Sequence, residues 1–201
     1  MTTPNPNEPC LVIASGNLGK VKEFRKLLNG LPVRVLAQPE GLEIEETGET
    51  FIENSRLKAL AVANATGEWA MADDSGLCVE ALQGAPGVYS GRYANSDEER
   101  ILRLLKDIEP FENRSAFFSC AICLVSPKKE IVLEVEGKCE GLITTRPRGN
   151  KGFGYDPVFE ASGTGLTFAE MEIETKQAVS HRGKAFTLLL PSLQKLFKFS
   201  L

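Results

Sequence analysis

Trp69-Ala70-Met71-Ala72-Asp73-Asp74-Ser75-Gly76-Leu77 is the stretch that decides how the chain is read. A short apolar run breaks into two adjacent carboxylates, a hydroxyl and a glycine, the pattern of a buried strand that delivers acids to its end. Neighbours in an extended strand point to opposite faces, so at most one aspartate need enter a site directly. The other binds a metal through water or hydrogen-bonds the adjoining loop. Two carboxylates this close do not both ionise in a low dielectric without a cation or a shared proton. Asp-Asp-Ser-Gly is also ordinary turn chemistry, so the rest of the chain has to decide between them.

Upstream, Cys10-Leu11-Val12-Ile13-Ala14 reads as a strand that ends in Ser15-Gly16-Asn17-Leu18-Gly19-Lys20. Val21, Phe24, Leu27 and Leu28 then recur at helical spacing, with Lys22, Glu23, Arg25 and Lys26 opposite. Strand, glycine loop and helix point backbone N–H groups and a helix N-terminus at an anion. The loop is not a Walker A motif: two residues rather than four separate Gly16 from the Gly19-Lys20 pair, and Val21 follows. Val33–Ala37 predicts a second strand. Thr50 and Glu53 form a capping box before a helix that carries Leu57, Leu60, Ala61 and Ala65, with Asn54 and Lys58 one turn apart, and that ends near Gly67. The acidic approach Glu43–Glu49 is either a solvated lead into that helix or the source of a glutamate that shares a divalent cation with the strand-end aspartate.

Downstream, Cys78–Leu82 predicts a partly buried strand, and Ser96 to Glu99 a capping box opening a helix through Ile108. Ala116–Val125 and Glu130–Glu136 predict a hairpin lobe beside the α/β part. A second glycine loop, Arg148 to Phe159, brackets Phe153 and precedes Tyr155, which suits either a base-stacking platform or an aromatic core plug. Glu170–Lys176 is helix-prone, and Ala178–Phe186 leads into an apolar helix, Leu188-Leu189-Leu190, expected to break near Pro191. His181 is the only histidine, a poor basis for a zinc site, and no Ser-His-Asp arrangement is supported.

With 201 residues the prior is one domain, after a flexible lead over residues 1–9 that lacks Lys and Arg and so reads as neither signal nor transit peptide. The net charge of −4 argues against generic nucleic-acid or membrane-surface binding, and no run approaches the ~18 apolar residues of a membrane span. Five cysteines, an odd number, fit a reducing compartment and a cytoplasmic address. Cys120 and Cys123 form a CxxC inside an apolar strand with no second pair, so core thiols are expected rather than a zinc ribbon or redox motif.

Lys20, Lys58, Arg92, Lys151, Lys176, Arg182 and Lys184 on polar loops, with carboxylates at Glu45, Glu46, Asp73 and Asp74, describe a nucleoside polyphosphate site in an acidic protein. The sequence resembles the inosine triphosphate pyrophosphatase family, most of all its bacterial branch. The matching segments are Ser15–Glu23, Glu45–Gly48 with Thr50–Asn54 and Lys58-Ala59, Ala72–Leu77, Gly84–Ser90, Gly152–Pro157 and Ser180–Gly183. The residues before Cys10 depart from the short bacterial pattern.

The resemblance implies an α/β fold with a mixed, elongated central sheet, flanking helices and two lobes around a substrate cleft, residues 10–201 forming a single catalytic domain, in a homodimer. It implies hydrolysis of ITP, dITP and XTP to the monophosphate and pyrophosphate with Mg²⁺. Carried over by position, Ser15, Gly16, Asn17, Leu18, Gly19 and Lys20 would hold phosphate, with Lys58 in the same cluster. Glu45 and Asp74 would hold the metal, Glu46 being the alternative to Glu45. Asp74 would accept the proton and Ser75 would touch substrate. Phe153, Gly154, Tyr155, Asp156, Lys176, His181 and Arg182 would form the base pocket. The rival readings are a pyrophosphatase for modified pyrimidine nucleotides, a nucleotide-binding module without turnover, and an RNA- or DNA-binding module. Steep salt dependence would mark the last.

Overall fold

The computed structural model describes residues 8–198, with the side chain of Lys198 excepted; residues 1–7 of the expected flexible lead lie outside the described residues. Six strands form one sheet in the order β2-β1-β3-β4-β5-β6. The strands are β1 (Cys10–Ile13), β2 (Arg34–Ala37), β3 (Trp69–Val79), β4 (Ser115–Val125), β5 (Ile131–Ile143) and β6 (Phe159–Ala161). β1 pairs parallel with both β2 and β3, whereas β5 and β6 are antiparallel, so the sheet is mixed. Among the described residues five α-helices flank it: α1 (Leu18–Leu27), α2 (Phe51–Thr66), α3 (Asp97–Ile108), α4 (Ile173–Val179) and α5 (His181–Lys198). This is the mixed α/β class that the resemblance implies.

The chain divides into two compact units, each with its own core. The first takes residues up to Asp74, then Ala121–Glu136, then Phe186 onward. There β1 is buried along its whole length, as a parallel strand covered on both faces should be. Ala59, Val62 and Ala63 of α2 pack with Val12, Ala14, Ala70, Ala72 and Val125. Small side chains on the helix let its backbone lie close to the strands. Both ends of α2 were legible: Thr50 Oγ1 accepts from Glu53 N, and Gly67 closes the helix at φ 71°. The second unit takes Ser75–Cys120 and Gly137–Ala185. Ile101, Leu104 and Ile108 form the buried face of α3, packed with Leu77, Val79, Phe118, Phe159 and Phe168.

Several sequence expectations are corrected. The two aspartates do not end a strand: β3 runs unbroken to Val79, with Asp73 and Asp74 in its middle. Each is matched by a cation, so the charges stay in the strand. Cys78 and Val79 finish β3, and Glu80–Leu82 is a single 3-10 turn rather than a strand of its own. The predicted hairpin lobe is part of the one sheet, and β5 continues seven residues further than its alternation suggested. Gly137 and Gly141 permit that extension. A Cβ on Gly137 would lie 2.3 Å from Ala185 N, and one on Gly141 2.2 Å from Glu160 O. α5 runs through Pro191 rather than breaking there, its buried Leu189, Leu193 and Phe197 lying on one face on either side of the proline. All five cysteines are buried and none forms a disulfide, so the CxxC residues are core thiols as expected. Among the described residues no helix is long and apolar enough to cross a membrane.

Candidate active site

In the first unit, two acids of β3 are matched by two lysines on two different helices. Asp73 pairs with Lys20 Nζ of α1 at 3.1 Å. Asp74 Oδ1 accepts from Lys58 Nζ of α2 at 2.8 Å, and its Oδ2 accepts from Asn54 Nδ2 at 3.2 Å. The pleat of β3 turns consecutive side chains apart, so the two acids serve different partners. Asn54 and Lys58, four apart on α2, reach the same carboxylate.

Lys58 Nζ also donates to Glu46 Oε1 at 2.7 Å, so one ammonium bridges two carboxylates. Asn54 ties the acidic loop to the same centre: its Oδ1 accepts from Gly48 N at 2.8 Å while its Nδ2 serves Asp74. Gly48 is needed there because a Cβ would lie 2.7 Å from Glu53 Cβ. Burial pushes the Asp74 carboxyl above its ordinary value, against the pull of Lys58 and Lys20. Burial also works against the Lys58 ammonium, but Asp74, Asp73 and Glu46 more than offset it, and its pKa lies above the usual lysine value. Glu45, by contrast, is exposed.

The link from β1 to α1 is shorter than the sequence suggested: it ends at Asn17, and Leu18, Gly19 and Lys20 form the first turn of the helix. Asn17 caps the helix, its Oδ1 accepting from Lys20 N at 3.1 Å, and Ser15 Oγ accepts from Asn17 N at 3.2 Å. Leu18 is 83% exposed and Gly16 is open to solvent, so a ligand can approach this helix end.

In the second unit, Gly149, Gly152 and Gly154 adopt positive φ of 77°, 77° and 60°, which lets the loop fold back on itself. Gly152 has a second reason: a Cβ there would lie 1.9 Å from Asp156 Oδ2. That oxygen accepts from Phe153 N at 2.9 Å and from Lys176 Nζ of α4 at 2.7 Å. The same ammonium lies 4.9 Å from the Phe153 ring centroid and 5.5 Å from that of Phe168. Tyr155 is buried, its hydroxyl donating to Ser90 O at 3.0 Å, and burial raises its pKa. So Tyr155 is the core plug of the two readings, while Phe153 stays partly accessible.

Arg182 is 2% exposed, and its Nη2 donates to Ser75 Oγ at 2.9 Å. His181 stacks on Phe118 with ring centroids 4.6 Å apart and planes 11° from parallel. The structure thus brings Lys20, Lys58 and Asp74 into one cluster and Lys176, Asp156 and Phe153 into another, with Ser75 and Arg182 as a third contact. Sequence reading missed Phe118 under His181 and the bridging role of Glu46, and it noted Asn54 only as a neighbour of Lys58. The spacing of Asn54 to Lys58 was the available signal; Phe118 had none.

No group of three or more His, Cys, Asp or Glu that could hold a metal occurs among the described residues. Glu46 and Asp74 are nevertheless held together by one ammonium, and their oxygens are hard donors. Such a pair fits Mg²⁺, which usually takes one or two carboxylates and completes its shell with water and phosphate oxygens.

The fold and these buried charge clusters define a mixed α/β enzyme. The Ham1 family's sequence profile matches residues 11–192, and the chain belongs to the Ham1 family. A relative from Prochlorococcus marinus (strain MIT 9313), named dITP/XTP pyrophosphatase, is 62% identical over 196 residues, 98% of this chain and 97% of its own. Another of that name, from Synechococcus sp. (strain CC9311), is 59% identical over 188 residues, 94% of this chain and 91% of its own. The solved structure of a HAM1 protein from Coxiella burnetii aligns with a TM-score of 0.85 at 42% identity, covering 93% of this chain and 99% of that one. That of the Staphylococcus aureus Ham1 protein aligns at 0.83 with 38% identity, covering 93% and 99%.

Proposed function

We propose that the chain hydrolyses deaminated purine nucleoside triphosphates (ITP, dITP and XTP) to the monophosphate and pyrophosphate, keeping hypoxanthine and xanthine out of DNA and RNA. The observation that carries this is the buried Asp74, held by Lys58 and Asn54, in a family whose relatives are named for that reaction. Water attacks the α-phosphorus, its oxygen forming the new bond as the bridging oxygen leaves with pyrophosphate. Asp74 takes the proton from that water, a role suited to a carboxyl whose proton affinity burial has raised. Lys20 and Lys58, with the backbone of Ser15, Gly16, Asn17, Leu18 and Gly19, hold the phosphates. Mg²⁺ would be held by Asp74 and Glu45, or by Glu46 in place of Glu45, and would neutralise charge developing on the leaving pyrophosphate.

Base choice rests on the 6-oxo group, which accepts hydrogen bonds where the amino group of adenine donates. His181 and Arg182 supply the donors, with Phe153, Gly154, Tyr155, Asp156 and Lys176 shaping the pocket. Ser75 orients Arg182 through the bond between them. Residues 10–201 act as one catalytic domain, as a cytoplasmic homodimer.

The test is incubation with ITP, XTP, GTP and ATP plus Mg²⁺, with pyrophosphate and orthophosphate assayed separately. Pyrophosphate from ITP and XTP with little from ATP is expected. Orthophosphate in its place would mean β–γ cleavage and a misread site. No product, with ITP still raising Tm, would favour a binding module.

A further inference from the structure

Two consecutive N–H groups of the Gly152–Asp156 loop are each accepted by a carboxylate. Phe153 N donates to Asp156 Oδ2, within the loop, at 2.9 Å. Gly154 N donates to Asp97 Oδ2 at 2.7 Å, and Asp97 stands 57 residues away at the first position of α3. Asp97 is itself held in place. Its Oδ1 accepts from Arg100 Nη1 at 2.6 Å, and Arg100 Nε donates to Ala94 O at 3.1 Å. Ser96 caps α3 by accepting from Glu99 N at 3.2 Å, and Glu99 Oε2 accepts from Asn95 N at 3.1 Å. The anchor therefore rests on a well-capped helix start whose buried face is part of the core.

With those two N–H groups occupied, what the loop leaves to offer a ligand is the Phe153 ring and not these amides. One contact of that ring is already the Lys176 ammonium. The placement of the ring then depends on backbone torsions at Gly152 and Gly154, both in the left-handed region where glycine is least constrained. From outside, Lys176 holds the loop at Asp156 and Asp97 holds it at Gly154, the glycine that follows Phe153.

We infer that Asp97 is a positioning residue for base recognition, setting the Phe153 platform through the Gly154 N–H. It touches neither phosphate nor the attacked phosphorus, so it governs binding of the base and not the chemical step. This inference rests on the reading of Phe153–Asp156 as part of a purine pocket.

The experiment measures ITP and ATP hydrolysis, and inhibition by pyrophosphate, for wild type, Asp97→Ala and Asp97→Asn. Losing a charge-assisted hydrogen bond is expected to raise KM for ITP ~10-fold in Asp97→Ala and to erode the preference for ITP over ATP. The kcat and the pyrophosphate inhibition constant stay at wild-type values. Asp97→Asn keeps an acceptor oxygen for Gly154 N–H and recovers most of the KM. A lowered Tm with KM and base preference unchanged in both variants would make Asp97 a helix cap and nothing more. A kcat loss equal in both variants, with KM unmoved, would also overturn it. A wild type that leaves ITP intact would remove the purine-pocket reading and this inference with it, whereas an active wild type with an indifferent Asp97→Ala would remove the inference alone.

Discussion

Replacing Asp156 by Asn tests whether the loop depends on a buried ion pair. Lys176 and Asp156 are 2.7 Å apart with side chains only 9% and 5% exposed. Removing one partner of such a pair typically costs ~3–5 kcal/mol because the other charge stays buried without compensation. Two effects reduce that figure here. The ammonium keeps its contacts with Phe153 and Phe168, each worth about 0.5–1 kcal/mol or more when desolvated. The Asn side chain also retains an oxygen that can accept from Phe153 N. A net loss of ~2–4 kcal/mol is expected, which for a chain of this size lowers Tm by roughly 5–15 °C. The assay is thermal unfolding at pH 7 followed by circular dichroism. The double variant Asp156→Asn, Lys176→Met removes the orphaned charge and should recover most of the loss, since an apolar replacement for a buried pair is often close to neutral. A single variant that melts within a degree of wild type would refute the reasoning. So would a double variant no more stable than the single one.

Asp74→Asn should lower kcat by ~10²–10⁴-fold, the usual worth of general base catalysis, while circular dichroism shows the fold intact. Near-normal turnover in that folded variant would take Asp74 out of the mechanism. Arg182→Ala should reduce the kcat/KM preference for ITP over ATP by about 10–100-fold, the value of one buried donor matched to the 6-oxo group. An unchanged ratio would move base reading elsewhere. Arg56 and Glu134 form a two-bond pair in the first unit, and the Arg56 guanidinium beside Glu134 holds that carboxyl below its usual value. The contribution of Glu134 is thus present above ~pH 4.3 and lost as pH falls through the lowered folded value. Because Arg56 is substantially exposed, Glu134→Gln should cost only about 0.5–1 kcal/mol at pH 7. The gap in Tm should close as pH falls below the lowered folded value of Glu134; a gap independent of pH would rule out the ionic contribution.

Local rules carried the sequence reading a long way. Thr50 with Glu53 before α2 and Gly67 after it are signals whose partners lie within a turn, and α2 was found at its proper ends. The start of α1 was placed late, because Leu18, Gly19 and Lys20 read as loop whereas Asn17 caps a helix that already includes them. The i, i+4 pair Asn54 and Lys58 likewise put two donors on one helix face before any fold was known. Errors came where tertiary contacts overrode local chemistry. Asp73-Asp74 looked like the end of a strand because two acids rarely lie inside one; Lys20 of α1 and Lys58 of α2, brought beside the strand by the fold, reverse that. The alternation suggested a strand that stopped at Glu136, yet the missing side chains of Gly137 and Gly141 allow β5 to run on close to the start of α5 and to β6. Pro191 looked like a stop, yet buried residues on either side of it keep α5 going. Phe118 beneath His181 and Asp97 on Gly154 had no sequence signature at all, because each depends on a pairing far along the chain.

The charge arrangement explains how an acidic protein can handle a polyanion without attracting every polyanion. Each of three lysines of the candidate site comes with a carboxylate: Lys20 with Asp73, Lys58 with Asp74 and Glu46, Lys176 with Asp156. In the first unit this cluster holds three carboxylates against two ammoniums, so it does not present a net positive surface to passing phosphate. A chain carrying −4 overall has no long-range field to draw nucleic acid either. Affinity for a triphosphate must then arise at contact, when phosphate oxygens compete for ammoniums already held in position. The carboxylates released in that exchange are hard oxygen donors beside a polyphosphate, the surroundings in which a divalent cation is most favourably held. On this reading the acids do two things. They keep the lysines ordered and in place before substrate arrives, and they make productive binding conditional on a ligand that brings both phosphate and counter-charge.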